Sequence, residues 1–326
     1  MTATFDVLTF GETMIRLATL DHERLEDADR LELRIGGTES NVGVALARLG
    51  RRVCWLSALP DNPLGRRVAR ELRGHGVDVS YVQWTEEGRA GLYFLDVGAQ
   101  PRPTRVIYDR ADSAVARLDP DLVDYELVGR ARLLHLTGIT PAISPSCAEI
   151  CRRLVEAAMS SGVPVSLDVN YRALLWSPEE ARAGLEPLLN YVTLLFAGAG
   201  DAATIWGLDG EPADLGRALL ARSSAQLVIV TAGAAGATLV GRTGTVHAAP
   251  ALPVDVVDAI GAGDAFAAGF FSVWLESPDD TRSALRAGAA MAALKMTMPG
   301  DLALVTPAEL AAALALLDQP GTDIVR

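Results

Sequence analysis

Lysine is almost missing from this chain. Of its 29 basic residues only Lys295 is a lysine, and all the others are arginine. A G-x-x-x-x-G-K-[ST] phosphate loop cannot be built without its lysine. The strand lysine that protein kinases place on ATP has no counterpart, and Schiff-base chemistry would rest on Lys295 alone. Cysteine is scarce too. Cys54, Cys147 and Cys151 are an odd, sparse set, which fits a reducing cytoplasm better than a disulfide framework. His22, His75, His135 and His247 are scattered and form no H-E-x-x-H metal site. No apolar run is long enough for a bilayer: Leu227–Val240 falls short of the ~20 residues required and contains glycines. Met1–Phe10 carries Asp6 and lacks the basic, apolar, small-residue order of a signal peptide. Cations are outnumbered, 29 against 41 acidic residues, for a net charge of -12. Such a surface repels a phosphate backbone and excludes broad nucleic-acid binding.

What is present is a large, core-forming chain of 326 residues, 50% hydrophobic and 21% charged, close to the upper size of one domain. Short apolar runs rich in β-branched residues recur at Phe5–Phe10, Val53–Ala58, Leu133–Leu136, Val163–Asp168, Val192–Phe196 and Leu227–Thr231. Such runs suit strands buried on both faces. Helical segments lie between them. Ser144-Pro145 can cap and start one that runs from Cys147 to Met159. On it Cys147 and Cys151 share an apolar face with Ile150, Leu154 and Ala158, which makes them core thiols. Thr306-Pro307-x-Glu309 reads as a capping box before Leu310–Leu317, and Asn41–Leu49 ends at Gly50, a C′ glycine. The alternation predicts an α/β fold, a doubly wound and mostly parallel sheet flanked by helices.

Two stretches break that order. Residues of about 13–35 and 90–110 alternate polar and apolar side chains, as in Leu31-Glu32-Leu33-Arg34-Ile35 and Arg105-Val106-Ile107-Tyr108. Period two with one polar face predicts a small open sheet inserted in a single domain spanning 1–326. That sheet would serve as a lid or as the contact of a homo-oligomer. Gln319–Arg326 reads as a loose tail.

The chemistry concentrates in Asp258-Ala259-Ile260-Gly261-Ala262-Gly263-Asp264, followed by a helical run from Ala265 to Leu275. Small residues before a helix let the backbone approach a ligand, and the first-turn amides with the helix dipole attract an anion. An aspartate there repels an anion, but suits a base that takes a proton from a hydroxyl attacking a phosphoryl group. The same spacing also suits a glycine-rich turn with an aspartate cap.

Val256-Val257-Asp258 leading into Gly261-Ala262-Gly263-Asp264 resembles the C-terminal signature of the ribokinase-like (PfkB) sugar kinases. Gly36-Gly37-x-x-x-Asn41-x-Gly43-x-Ala45 through Gly50 resembles their N-terminal signature, and Gly11-Glu12 and Asp61-x-x-x-Gly65 fall where the family has them. The resemblance covers nearly the whole chain and implies a doubly wound domain with a β-sheet lid. It implies a phosphotransferase acting on a sugar hydroxyl. Asp264 would be the base, and Gly261, Ala262 and Gly263 the anion hole. Thr231, Gly233 and Gly236 of Thr231-Ala232-Gly233-x-x-Gly236 would form the nucleotide-side loop, although a strand–turn–strand unit gives that pattern as well. Gly37 and Asn41 would face the sugar. ATP and Mg²⁺ would be required, the ion bridging phosphates partly through water.

Leu134–Pro145 and Ser166-Leu167-Asp168-Val169-Asn170-Tyr171-Arg172 are most similar to 2-keto-3-deoxygluconate kinases. Asp168, Asn170 and Arg172 alternate at the C-terminal end of a buried strand, where open α/β sheets place their sites. An acid sugar calls for a guanidinium on its carboxylate; Arg172 and Arg110 are the candidates, with Tyr93 and Tyr108 as hydroxyl partners. In so arginine-rich a chain either guanidinium could equally sit in a surface ion pair, and the tyrosines could pack. Two departures stand out. Many relatives carry Asn-x-x-Glu where this chain has Gly198-Ala199-Gly200-Asp201, so Asp201 would reach the metal through water. Ala259 replaces a frequent threonine near a loop that binds a monovalent cation in some relatives, leaving such activation open. Other sugar kinases (for fructose, ribose or a nucleoside) and a non-catalytic sugar-binding relative are the alternatives. An aldolase would need a lysine at a strand end, whereas Lys295 lies in the helix-like Ala284–Met298.

Overall fold

A computed structural model describes residues 3–318; the expected tail lies outside the described residues. Eight strands form the central sheet, in the spatial order Val246–Ala249, Ala237–Gly241, Leu227–Thr231, Leu194–Gly198, Val165–Asp168, Leu134–Thr137, Val7–Phe10 and Val53–Leu56. The six from Leu227–Thr231 to Val53–Leu56 run parallel. The two at the other edge are added antiparallel as hairpins. Every predicted run thus holds a strand: Leu227–Thr231 matches at both ends, and elsewhere ends shift by at most two residues. Phe5 makes only an isolated bridge to Ala131.

Both faces of the sheet are covered, and buried side chains gather in two clusters, one per face. Alternate residues of each strand feed alternate clusters: Leu194 and Phe196 join one, Leu195 and Ala197 the other. That is why these strands read as unbroken apolar runs. The helix Pro145–Ser161 is capped by Ser144, whose Oγ accepts from the Cys147 amide at 3.1 Å. Cys147 and Cys151 are fully buried on its inner face, and burial pushes the Cys147 thiol up to about 12. The capping box at Thr306 forms with Glu309 and opens Pro307–Asp318.

The helix Ala262–Trp274 starts three residues earlier than its apolar pattern suggested. Phe270 and Phe271 each stand edge-on to Phe196 with centroids 5.4 Å apart. Burying such a ring contributes about 1.5–3 kcal/mol, which fixes the helix against the sheet. It also packs closely on Thr281–Met296. Gly269 permits this, because a Cβ there would run into the Ala287 carbonyl.

The two irregular stretches come together as one four-stranded sheet ordered Leu31–Gly36, Met14–Thr19, Leu92–Asp96 and Arg105–Asp109. Its middle pair is parallel and the outer pairs antiparallel. Leu92–Asp96 and Arg105–Asp109 alternate in burial as their pattern predicts, whereas Met14–Thr19 and Leu31–Gly36 do not. Met14–Thr19 is buried on both faces, its polar Arg16 being taken up by Asp258 and Asp301. No helix among the described residues is long and apolar enough to cross a membrane.

Candidate active site

A cavity of about 590 Å³ opens between the C-terminal edge of the main sheet and the small sheet. That size suits a small-molecule site. Gly37, Asn41, Tyr93, Tyr108, Arg110, Asp168, Asn170, Arg172, Asp201, Thr231, Gly261, Ala262, Gly263 and Asp264 all line it. Gly233 and Gly236 do not appear among its lining residues. They shape the turn from Leu227–Thr231 into antiparallel Ala237–Gly241, the strand–turn–strand unit that the same pattern allows.

One end of the cavity is the turn before Ala262–Trp274. Gly261 sits at φ +86, a left-handed conformation, and a Cβ there would run into the Asp301 carbonyl oxygen. The position therefore demands glycine twice over. Helix geometry leaves the first-turn N–H groups without intrahelical carbonyl partners; that of Ala262 makes only a long 3.3 Å bond to the Ala259 carbonyl, so the turn is open to an anion. Asp264 lies in that first turn and is buried. Asn41 Nδ2 donates to its Oδ2 at 2.7 Å across 223 residues of sequence, while Asn41 Oδ1 accepts from the Gly37 amide at 3.2 Å. The two glycine-rich motifs thus meet through one amide side chain. Loss of hydration pushes Asp264 up to about 7, against the pull of that bond and of Arg172.

Asp168 faces the same space at the end of Val165–Asp168. Burial, and then repulsion from Asp264 and Asp201, push it up to about 7 as well. Asn170 holds a left-handed φ of +40, an uncommon state for a residue with a side chain. Its amide donates to Asp168 Oδ1 at 3.2 Å. Arg172 is exposed and donates to the Tyr171 carbonyl at 3.1 Å; its charge lowers Asp168, Asp201 and Asp264 alike.

These features together are what a phosphoryl-transfer site with a buried carboxylate base requires. The pfkB family carbohydrate kinase profile matches residues 4–307. This chain belongs to the pfkB family of carbohydrate kinases. The kinase is 46% identical over 306 residues to a 2-dehydro-3-deoxygalactonokinase of Haloferax volcanii, covering 94% of this chain and 95% of that protein. It is 33% identical to a 2-dehydro-3-deoxygluconokinase of Thermoproteus tenax, over 94% of this chain and 93% of that one. The crystal structure of a 2-dehydro-3-deoxygluconokinase from Thermotoga maritima superposes with a TM-score of 0.88 at 32% identity, covering 95% of this chain and 99% of that one. The kinase has the ribokinase-like fold and is a phosphotransferase with an alcohol group as acceptor.

The kinase holds its two candidate guanidiniums very differently. Arg110 is buried, and both Nε (2.8 Å) and Nη2 (2.6 Å) reach Glu12 Oε2. Its charge is therefore already matched at the cavity wall, whereas Arg172 stands at the rim. Tyr93 is buried with its hydroxyl donating to Asp301 Oδ1 at 2.7 Å, and Tyr108 lies beside it with ring centroids 6.1 Å apart. Asp201 occupies the first turn of Ala199–Trp206, where its Oδ2 accepts from the Tyr171 amide at 3.3 Å.

Sequence reasoning missed a buried charge cluster beneath this site. Arg16, in the strand Met14–Thr19, donates to Asp258 Oδ2 at 2.6 Å and to Asp301 Oδ1 at 2.7 Å. It ties the small sheet to both loops that frame the Gly261 turn. One signal was available: Arg16 sits between Ile15 and Leu17 in an alternating strand. Asp301 had none, because nothing local marks it. Glu39 was missed as well; it is buried, and its Oε1 accepts from Thr137 Oγ1 at 2.7 Å and Thr140 Oγ1 at 2.5 Å.

Proposed function

We propose that the chain transfers the γ-phosphoryl group of ATP to the terminal hydroxyl of 2-keto-3-deoxygluconate, giving the 6-phosphate. The observation that carries this reading is the sharing of one cavity by three groups. These are the glycine turn, Asp264 with its raised pKa, and an Arg172 guanidinium free to meet a carboxylate. Asp264 takes the hydroxyl proton as that oxygen attacks the γ-phosphorus, and the bond to the β,γ-bridging oxygen breaks to release ADP. The amides of Gly261, Ala262 and Gly263 hold the charge that develops on the transferred group. Arg172 binds the sugar carboxylate, and its planar fork suits that shape. Arg110 orients the sugar from its pair with Glu12. Gly37, Asn41, Tyr93, Tyr108, Asp168 and Asn170 line the sugar's space, while Thr231, Gly233 and Gly236 belong to the nucleotide side.

Among the described residues no three carboxylate, histidine or cysteine side chains cluster at metal-holding distances. Mg²⁺ commonly takes its ligands from phosphates, water and one or two carboxylates, so this donor set fits a substrate-bridged ion. Asp201 would hold it through water, and when bound it supplies neutralisation of phosphate charge. We assign the enzyme to the cytoplasm, where its three buried free thiols are compatible with reducing conditions. Homo-oligomerisation through the small sheet stays part of the proposal, with light scattering as its check.

A second reading has one specific observation behind it. The Haloferax volcanii relative is named for the galactonate acid sugar, which differs from the gluconate form in the configuration of C4. An ADP-release assay across both epimers, fructose, ribose and a nucleoside separates the possibilities. We expect either acid sugar to exceed every neutral one by about 100-fold or more in kcat/KM. Equal turnover of fructose or ribose would overturn the acid-sugar assignment. Absence of ADP release with every sugar would point to a non-catalytic relative.

A further inference from the structure

Lys295, the single lysine of the chain, has no part in the mechanism above, yet it is among the most deeply buried side chains in the molecule. It is 0% exposed, in the last turn of Thr281–Met296. Its ammonium donates to the backbone carbonyl of Asp258 at 2.8 Å and to that of Met298 at 3.3 Å. Burying an ammonium costs several kcal/mol unless charge partners and acceptors compensate it, so a chain that otherwise uses arginine throughout keeps a lysine here for a reason.

The surroundings supply that reason. Asp258 opens the run that ends in the phosphate turn. Its Oδ1 accepts from the Ile260 amide at 3.0 Å, and its Oδ2 accepts from the Gly300 amide at 3.1 Å and from Arg16. Asp301, the other acid of the cluster, presses its backbone carbonyl against Gly261. Two buried cations, Arg16 and Lys295, therefore face two carboxylates, Asp258 and Asp301, and the local charge is balanced. An arginine could not replace the lysine: carbonyl oxygens converging on a small space suit a compact point charge, not a planar fork.

The family resemblance left open a dissociable monovalent cation near this loop. The residues present do not fit one. Ala259 offers no side-chain oxygen, the Asp258 carbonyl already accepts from an ammonium, and one more cation would leave the buried cluster with an unmatched positive charge. We propose that the Lys295 ammonium is the permanent cation of the phosphate-binding turn, a positioning residue that lets the enzyme work without a dissociable monovalent cation. This rests on the kinase assignment and not on which acid sugar is used.

The test compares choline, potassium and ammonium chlorides at matched ionic strength, with turnover and melting temperature as separate readouts. Wild-type enzyme should show turnover equal within about threefold in all three salts and no K⁺-specific rise in melting temperature. Lys295→Ala should lose roughly 100-fold in kcat/KM for ATP and recover about tenfold or more with K⁺ or NH₄⁺ but not choline. The same two ions should raise its melting temperature. The uncharged, similarly shaped Lys295→Met should lose activity that neither ion restores, because the side chain fills the space. K⁺-specific stimulation of the wild type beyond about threefold overturns the proposal. So does a Lys295→Ala enzyme with wild-type kinetics in choline. Should both variants fail to fold, the wild-type comparison still decides, since it needs no mutation. If no sugar is turned over, the melting-temperature comparison decides without reference to substrate.

Discussion

The two flanks of the cavity solve the problem of buried charge in opposite ways. On the small-sheet side the buried cations have carboxylate partners: Arg110 with Glu12, and Arg16 with Asp258 and Asp301. On the side of the main sheet Asp168 and Asp264 lack a paired cation among the described residues, their pKa values are pushed up to about 7, and Arg172 reaches them only at longer range. Matched pairs hold shape, because separating them strands a charge in low dielectric. Unmatched groups can change protonation or accept a new partner, which is what binding and proton transfer need. The same residue types thus build a frame on one wall and a reactive surface on the other.

The comparison breaks first at Asp264. Asp264→Asn keeps the shape and the hydrogen-bonding partner of Asn41 but removes the base, and should lower kcat by up to about 10⁴-fold. Sugar binding, read by calorimetry, should survive. Near-normal turnover would move the base elsewhere.

Arg110→Ala should behave as damage to the frame. It leaves Glu12 buried without its cation, a loss of about 3–5 kcal/mol, measurable in denaturant unfolding. The paired change Arg110→Met with Glu12→Gln should restore most of that stability. If Arg110→Ala melts like wild type and only raises KM for the sugar, Arg110 belongs with the reactive wall instead.

Arg172→Ala should leave the fold intact and raise KM for acid sugars by about 10- to 100-fold, the worth of one charge-assisted pair. Any neutral sugar should be affected far less. An equal loss for both classes would remove the carboxylate role.

The smallest effect is one of pH, and its sign differs between activity and stability. Asp264 must be ionised to act as base, so kcat/KM should fall as pH drops through about 7 and level off above it. Asp168 titrates in the same range and is coupled to Asp264, so the falling limb belongs to the pair. For stability, a folded value raised above the ordinary carboxylate value of about 4 means that between the two the native state holds protons the unfolded state has released. The contribution of these two acids to stability therefore declines as pH rises toward 7. Asp264→Asn should gain melting temperature relative to wild type over that interval. A constant difference would show that Asp264 is not perturbed.

Much of this enzyme was legible in its sequence. Unbroken apolar runs marked the strands because parallel strands are buried on both faces. Alternation marked the outer part of the small sheet at Leu92–Asp96 and Arg105–Asp109, where one face is more open than the other, although Met14–Thr19 is buried on both faces. Ser144, Thr306 and Gly50 announced helix ends because capping is a matter of a few adjacent residues. The turn at Gly261–Gly263 was legible for the same local reason, down to the aspartate that follows it. What the tertiary structure alone decided is how charges are partnered, because pairing joins residues far apart in the chain. Arg110 and Arg172 look alike as letters, and only the fold gives one of them Glu12 and leaves the other at the rim. Arg16, Asp258 and Asp301 come from three distant segments, and no local pattern links them. Lys295 shows the boundary most clearly. Its rarity excluded several chemistries from composition alone, but its position beneath the Gly261 turn follows from the close packing of two helices.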